Sequence, residues 1–90
     1  MSSQPPPTPE QHEQYKANAV AWALQFVSSG VPATLTVADA MLQVYPLHNQ
    51  ERASTGPLWR TTWRSKVYLQ GGWIVELDEQ GHPDDPPRRM

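Results

Sequence analysis

Apolar residues recur at three- and four-residue steps through the first third of the chain: Tyr15, Ala19, Trp22 and Phe26, with Ala23 and Val27 widening the stripe. This is the period of one helix face and predicts a helix over residues 9–28. Its start is marked by Thr8 as N-cap, Pro9 at the first helical position and Gln11 closing a Thr-x-x-Gln capping box. Ser29 and Gly30 stop it, with Gly30 suited to the left-handed position past a helix end. Thr34 and Leu35 form a short extended piece, and Thr36, with Asp39 three residues on, then reads as the cap of a second helix. Val37, Met41, Val44 and Tyr45 supply its apolar side, and Pro46 ends it, since the residue before proline is pushed out of the helical region.

A polar connection over residues 46–57, with room for an extra turn around 49–53, leads to a third predicted helix at 57–70, closed by Gly71 and Gly72. At 100° per residue, Leu58, Thr62 and Leu69 share one side of it, and Trp59, Trp63 and Val67 a neighbouring stripe. Arg60 and Arg64 fall away from the leucines with Thr61 and Tyr68 at the edges, while Lys66 lands inside the apolar arc and has to snorkel outward. Trp73–Leu77 is β-prone and predicts a strand, followed by a turn at 78–81. The expected fold class is mainly α (α+β): three helices, then a short β-strand or hairpin. The expected domain occupies residues 8–82, between a disordered proline-rich lead at 1–7 and a mobile tail at 83–90.

Ninety residues suffice for one small core and leave little room for a deep substrate cavity. With no cysteine, neither disulfides nor thiolate metal sites supplement that core, so the four tryptophans become its main candidates. No signal peptide or membrane-length apolar run is present, which leads us to expect a soluble, cytoplasmic protein without membrane partners. The net charge of −2 conceals a segregated pattern. Arg52, Arg60, Arg64 and Lys66 fall within residues 52–66, which contain no acid, whereas Glu76, Asp78, Glu79, Asp84 and Asp85 follow.

The basic segment suggests a nucleic-acid-binding surface made of Arg52, Arg60, Thr61, Arg64, Lys66 and Tyr68. Arginine fits that role because its planar fork can donate two parallel hydrogen bonds to a phosphate or a guanine edge. The plainer reading is an amphipathic helix with solvated arginines and core tryptophans. His12, His48 and His82 have no metal-ligand spacing, no nucleophile elbow is present and the glycines follow no phosphate-loop pattern, so no enzyme, metal or cofactor is expected. His82 beside Asp84 and Asp85 reads as a solvated turn rather than a cation site.

Thr36-Val37-Ala38-Asp39-Ala40, then Trp59-Arg60-Thr61-Thr62-Trp63-Arg64, then Gly72-Trp73-Ile74 resemble the winged helix-turn-helix class, and within it the N-terminal domain of Mrr-type restriction proteins. The likeness covers roughly residues 34–75. It implies a winged-helix-like domain contacting duplex DNA through its third helix, as a transcription regulator would. The alternative is a protein–protein interaction module, an adaptor or inhibitor of the kind encoded by viruses and mobile elements, with homodimerisation left open. The acidic stretch supports the alternative, since it could fold over the arginines or face a protein partner.

Overall fold

The computed structural model describes residues 4–53 and 56–90, with backbone only for 49–53 and 56–59. Its elements are a helix α1 (Pro9–Ala23), a 3₁₀ segment (Leu24–Ser29), and strands β1 (Met41–Ala53), β2 (Gly56–Leu69), β3 (Trp73–Leu77) and β4 (Arg88–Arg89). The strands form one antiparallel sheet in the order β1-β2-β3-β4. The three-helix, winged-helix-like expectation is therefore overturned: the second predicted helix is a turn at 36–40 followed by the start of β1, and the third is strand β2.

The first helix begins as its capping box dictates. The Thr8 hydroxyl accepts from the Gln11 amide at 3.3 Å, and the Gln11 side chain accepts from the Thr8 amide at 2.9 Å. The expected helix over 9–28 tightens into 3₁₀ geometry from Leu24, with Phe26 at φ −113°, ψ 23°. Gly30, at φ +107°, takes the left-handed position that ends it. Tyr15, Ala19, Val20 and Ala23 are buried, and the small alanines let the helix lie close to the sheet.

Alternation in β2 and β3 separates the two faces of that sheet. Ser65, Val67 and Leu69 face the helix together with their partners Leu77, Val75 and Trp73. Val31, Leu35 and Ala40, from the segment between helix and sheet, complete the core. Thr36 does cap a turn, accepting from the Asp39 amide at 3.2 Å, but the chain turns once through Ala40 N–Val37 O at 3.1 Å and then extends into β1. A threonine hydroxyl can make the same local bond at a turn as at a helix start, and here no helical face follows to be buried. The extra turn expected around 49–53 is likewise strand.

Gly71 and Gly72 form the β2–β3 turn rather than a helix cap, at φ +85° and +80°, where a side chain would be strained. After β3, residues 78–81 turn as expected. The Asp78 carboxylate accepts from the Gln80 and His82 amides at 2.9 Å each. The turn docks on α1 through the Asn18 amide, which donates to the Gly81 carbonyl at 3.0 Å. From there residues 83–87 pass the helix, with the Trp22 indole donating to the Asp85 carbonyl at 2.9 Å, and the chain returns to β3 as β4.

β3 pairs with β2 only from Ser65 to Leu69, whereas β1 follows β2 from Met41↔Tyr68 out to Ala53↔Gly56. The outer pairs, from Tyr45↔Arg64 onward, thus form a two-stranded ribbon reaching past the helix-backed sheet, and the molecule measures 52 × 25 × 18 Å. Pro46, opposite Trp63, lies within β1 instead of ending a helix. The Thr61 carbonyl accepts from Gln4 on the side away from β1, which makes Thr61↔His48, and two residues on Trp63↔Pro46, pairs without mutual hydrogen bonds. A residue in such a pair turns its N–H outward, so proline's missing donor costs the ladder nothing.

Candidate nucleic-acid interface

With the helix against one face, the other face of the sheet carries the polar chemistry. By the same alternation Arg64, Lys66 and Tyr68 lie on that outer side of β2, and all three are half-buried. The pairing register sets Tyr45 beside Arg64, Gln43 beside Lys66 and Met41 beside Tyr68. On the other flank Glu76 pairs with Lys66 and Ile74 with Tyr68, and Arg88 pairs with Ile74. The result is a surface of three cations, two tyrosines and one glutamate, assembled from all four strands.

Short contacts fix its geometry. Lys66 Nζ lies 5.5 Å from the centre of the Tyr45 ring, within cation–π range. The Tyr68 hydroxyl donates to Gln43 Oε1 at 2.8 Å. Arg88 pairs with Glu76 at 2.7 Å, and Arg64 approaches Glu79 at 3.8 Å. The Arg88 side chain is 59% exposed, so its pair contributes no more than about 1 kcal/mol. Two carboxylates thus offset part of the positive charge, and both come from the acidic stretch that follows β2. Asp78 takes no part, being used in its own turn.

The six residues expected to bind nucleic acid all lie on β1 or β2. Arg60, Arg64, Lys66 and Tyr68 share one parity along β2. Lys66 is not inside an apolar arc, as a helix would require, but on the polar face. Thr61 has the opposite parity, and its hydroxyl lies 3.1 Å from His48 Nδ1. Arg52 belongs to the far part of the ribbon, where its backbone pairs with that of Pro57. Tyr45, Gln43 and Arg88 were not expected at this site. Tyr45 reads as part of a helix side and Arg88 as tail, and only strand pairing brings them beside Arg64 and Lys66.

The tryptophans have separate roles. Trp73 is 8% exposed, packed in the core and covered by Arg89, whose guanidinium lies 5.4 Å from the ring centre. Trp63 is half-buried at the base of the ribbon, and its indole donates to the Gln4 carbonyl at 3.1 Å. Trp22 stacks at a tilt on Phe26, with ring centres 5.3 Å apart. Trp59 lies outside the described side chains. Among the described residues, no helix is long and apolar enough to cross a membrane. His12, His48 and His82 sit on helix, ribbon and turn respectively, and no group of three potential metal ligands occurs among the described residues.

No family model, curated protein or solved structure matches the chain. Of the segments that carried the winged-helix likeness, Thr36–Ala40 is a turn and the arginine-bearing third helix is strand β2, so the fold lends that likeness no support.

Proposed function

We propose that this is a small, non-enzymatic nucleic-acid-binding protein of the cytoplasm that contacts duplex DNA with its β1–β2 ribbon and the adjoining sheet face. The observation carrying this reading is that four of the six contact candidates, Arg60, Arg64, Lys66 and Tyr68, share one parity along β2. The major groove of B-DNA, about 12 Å wide, admits a two-stranded ribbon as readily as a helix. Arg60, Arg64 and Lys66 supply charge for phosphates, and Tyr45 and Tyr68 give the face polar, planar side chains.

The test is DNA affinity as a function of salt. Each neutralised phosphate contributes about −0.9 to the slope of log K against log salt, so replacing Arg60 and Arg64 with alanine should flatten that slope by about 2. The same double variant should lower affinity at low salt by at least about tenfold. An unchanged slope and affinity would overturn the proposal.

A second reading, a protein-interaction module acting as adaptor or inhibitor, draws support from Glu76 and Glu79, which offset the cations of the same face. A partner complex that survives high salt, with no measurable DNA binding at low salt, would favour it.

A further inference from the structure

Residues 4–7 do not trail away from the domain. They run beside β2 just beyond the point where β3 ends, with the Gln4 amide donating to the Thr61 carbonyl at 3.0 Å. The Gln4 carbonyl in turn accepts from the Trp63 indole at 3.1 Å. One residue is thereby clamped through both its main-chain groups, and three prolines follow it.

Consecutive prolines favour the polyproline II conformation, which makes no internal hydrogen bonds, and having no N–H groups themselves they offer only carbonyls to donors from outside. Proteins that recognise such segments do so in grooves lined by aromatic rings. Tyr15 and Trp63 supply two rings here, and the indole N–H supplies the donor. A cleft of about 170 Å³ remains beside the segment, lined by Pro5, Pro7, Gln11, Tyr15, Trp63 and Glu79. The resident prolines do not fill it: Pro5 and Pro6 are exposed and only Pro7 is half-buried. At the rim, the Glu79 carboxylate is only 3.8 Å from Arg64, a long pair that leaves it able to attract a cation on an incoming ligand.

We infer that the track occupied by residues 4–7, beside the Tyr15 and Trp63 rings, is a recognition site for proline-rich extended peptides, filled in cis by that segment and available to a proline-rich segment of a partner protein that displaces it. The cis segment is joined to α1 through Thr8 alone, so it competes at an effective concentration of about millimolar, and a partner must exceed that to displace it. The peptide site stands apart from the DNA-binding reading, although the two share Thr61, whose carbonyl Gln4 occupies, and Arg64, which approaches Glu79 at the rim.

The probe is a labelled peptide Gln-Pro-Pro-Pro-Thr-Pro, with an all-alanine replacement of its prolines as control. It is titrated into the full chain and into the full chain carrying Pro5→Gly, Pro6→Gly and Pro7→Gly. Removing the cis prolines should tighten peptide binding by about tenfold. Adding Trp63→Phe, which keeps a ring but removes the donor, should weaken it again by about fivefold. Should Trp63→Phe fail to fold, the Trp63 indole N–H resonance of the triple-glycine chain serves instead, and must shift on peptide addition. A folded triple-glycine chain that ignores the peptide, binds the alanine control equally well, or leaves that resonance unmoved would overturn the inference.

Discussion

Gly81 shows how closely one residue can be constrained here. It adopts φ +81°, and a Cβ at this position would run into the ring of Tyr15. The same contact brings the post-β3 turn onto α1, where Asn18 binds the Gly81 carbonyl. Gly81→Ala meets both the left-handed backbone and the buried ring, so we expect a loss of about 2–4 kcal/mol, read from the midpoint of denaturant unfolding. A loss below about 1 kcal/mol would mean that the turn lifts away from Tyr15 at little cost. Asp78 holds the rest of this turn with its own carboxylate, which is why it is unavailable to the cationic face.

At the level of elements, the first helix was legible because its signals are local and agree. Thr8, Pro9 and Gln11 act within one turn of chain, and Gly30 is needed for its φ alone. Thr8→Ala removes the cap and should cost about 1 kcal/mol, measurable as a lower thermal midpoint with the sheet otherwise unchanged. The long hairpin was misread for a definite reason. Arg60, Arg64 and Tyr68 are four apart, as are Trp59, Trp63 and Val67, and a spacing of four fits one helical turn and also two strand repeats. The grouping of side chains therefore survived while the element did not. Two signals pointed to strand: the β-prone run of Thr61, Thr62, Trp63, Val67 and Tyr68, and Lys66, which no helical face could place comfortably. Pro46 misled in the same way, because proline ends a helix but is tolerated at an outward-facing position of an edge strand. Of the candidate interface, Arg64 and Tyr68 could be read as neighbours from sequence, whereas Lys66 joins them only once the segment is a strand. Tyr45, Gln43 and Arg88 could not be read so, since their positions depend on the register between segments distant in the chain, 25 residues for Gln43 and Tyr68.

Taken as a whole, the molecule has a helix-backed sheet at one end and a two-stranded ribbon at the other, and the first and last described segments both lie on the sheet. Residues 4–7 lie along β2, and β4 lies along β3. The Met90 amide donates to the Gly72 carbonyl at 2.8 Å, and Arg89 covers Trp73. Removing residues 86–90 should therefore uncover Trp73 while leaving the Trp22–Asp85 bond in place. We expect destabilisation of about 1–2 kcal/mol and a red shift of tryptophan emission. No change in either quantity would show that β4 contributes nothing to the core.

The proline within β1 has one further consequence at this scale. A long edge strand with a full row of free N–H groups is a template on which other chains can add, layer upon layer, into fibrils. Pro46 removes a donor from the middle of that row, on the open side. An incoming strand could still pair on either side of it but not across it, so the stretch available for growth is divided into two short pieces. The residue that made the strand hard to read thus also protects the protein from polymerising along it.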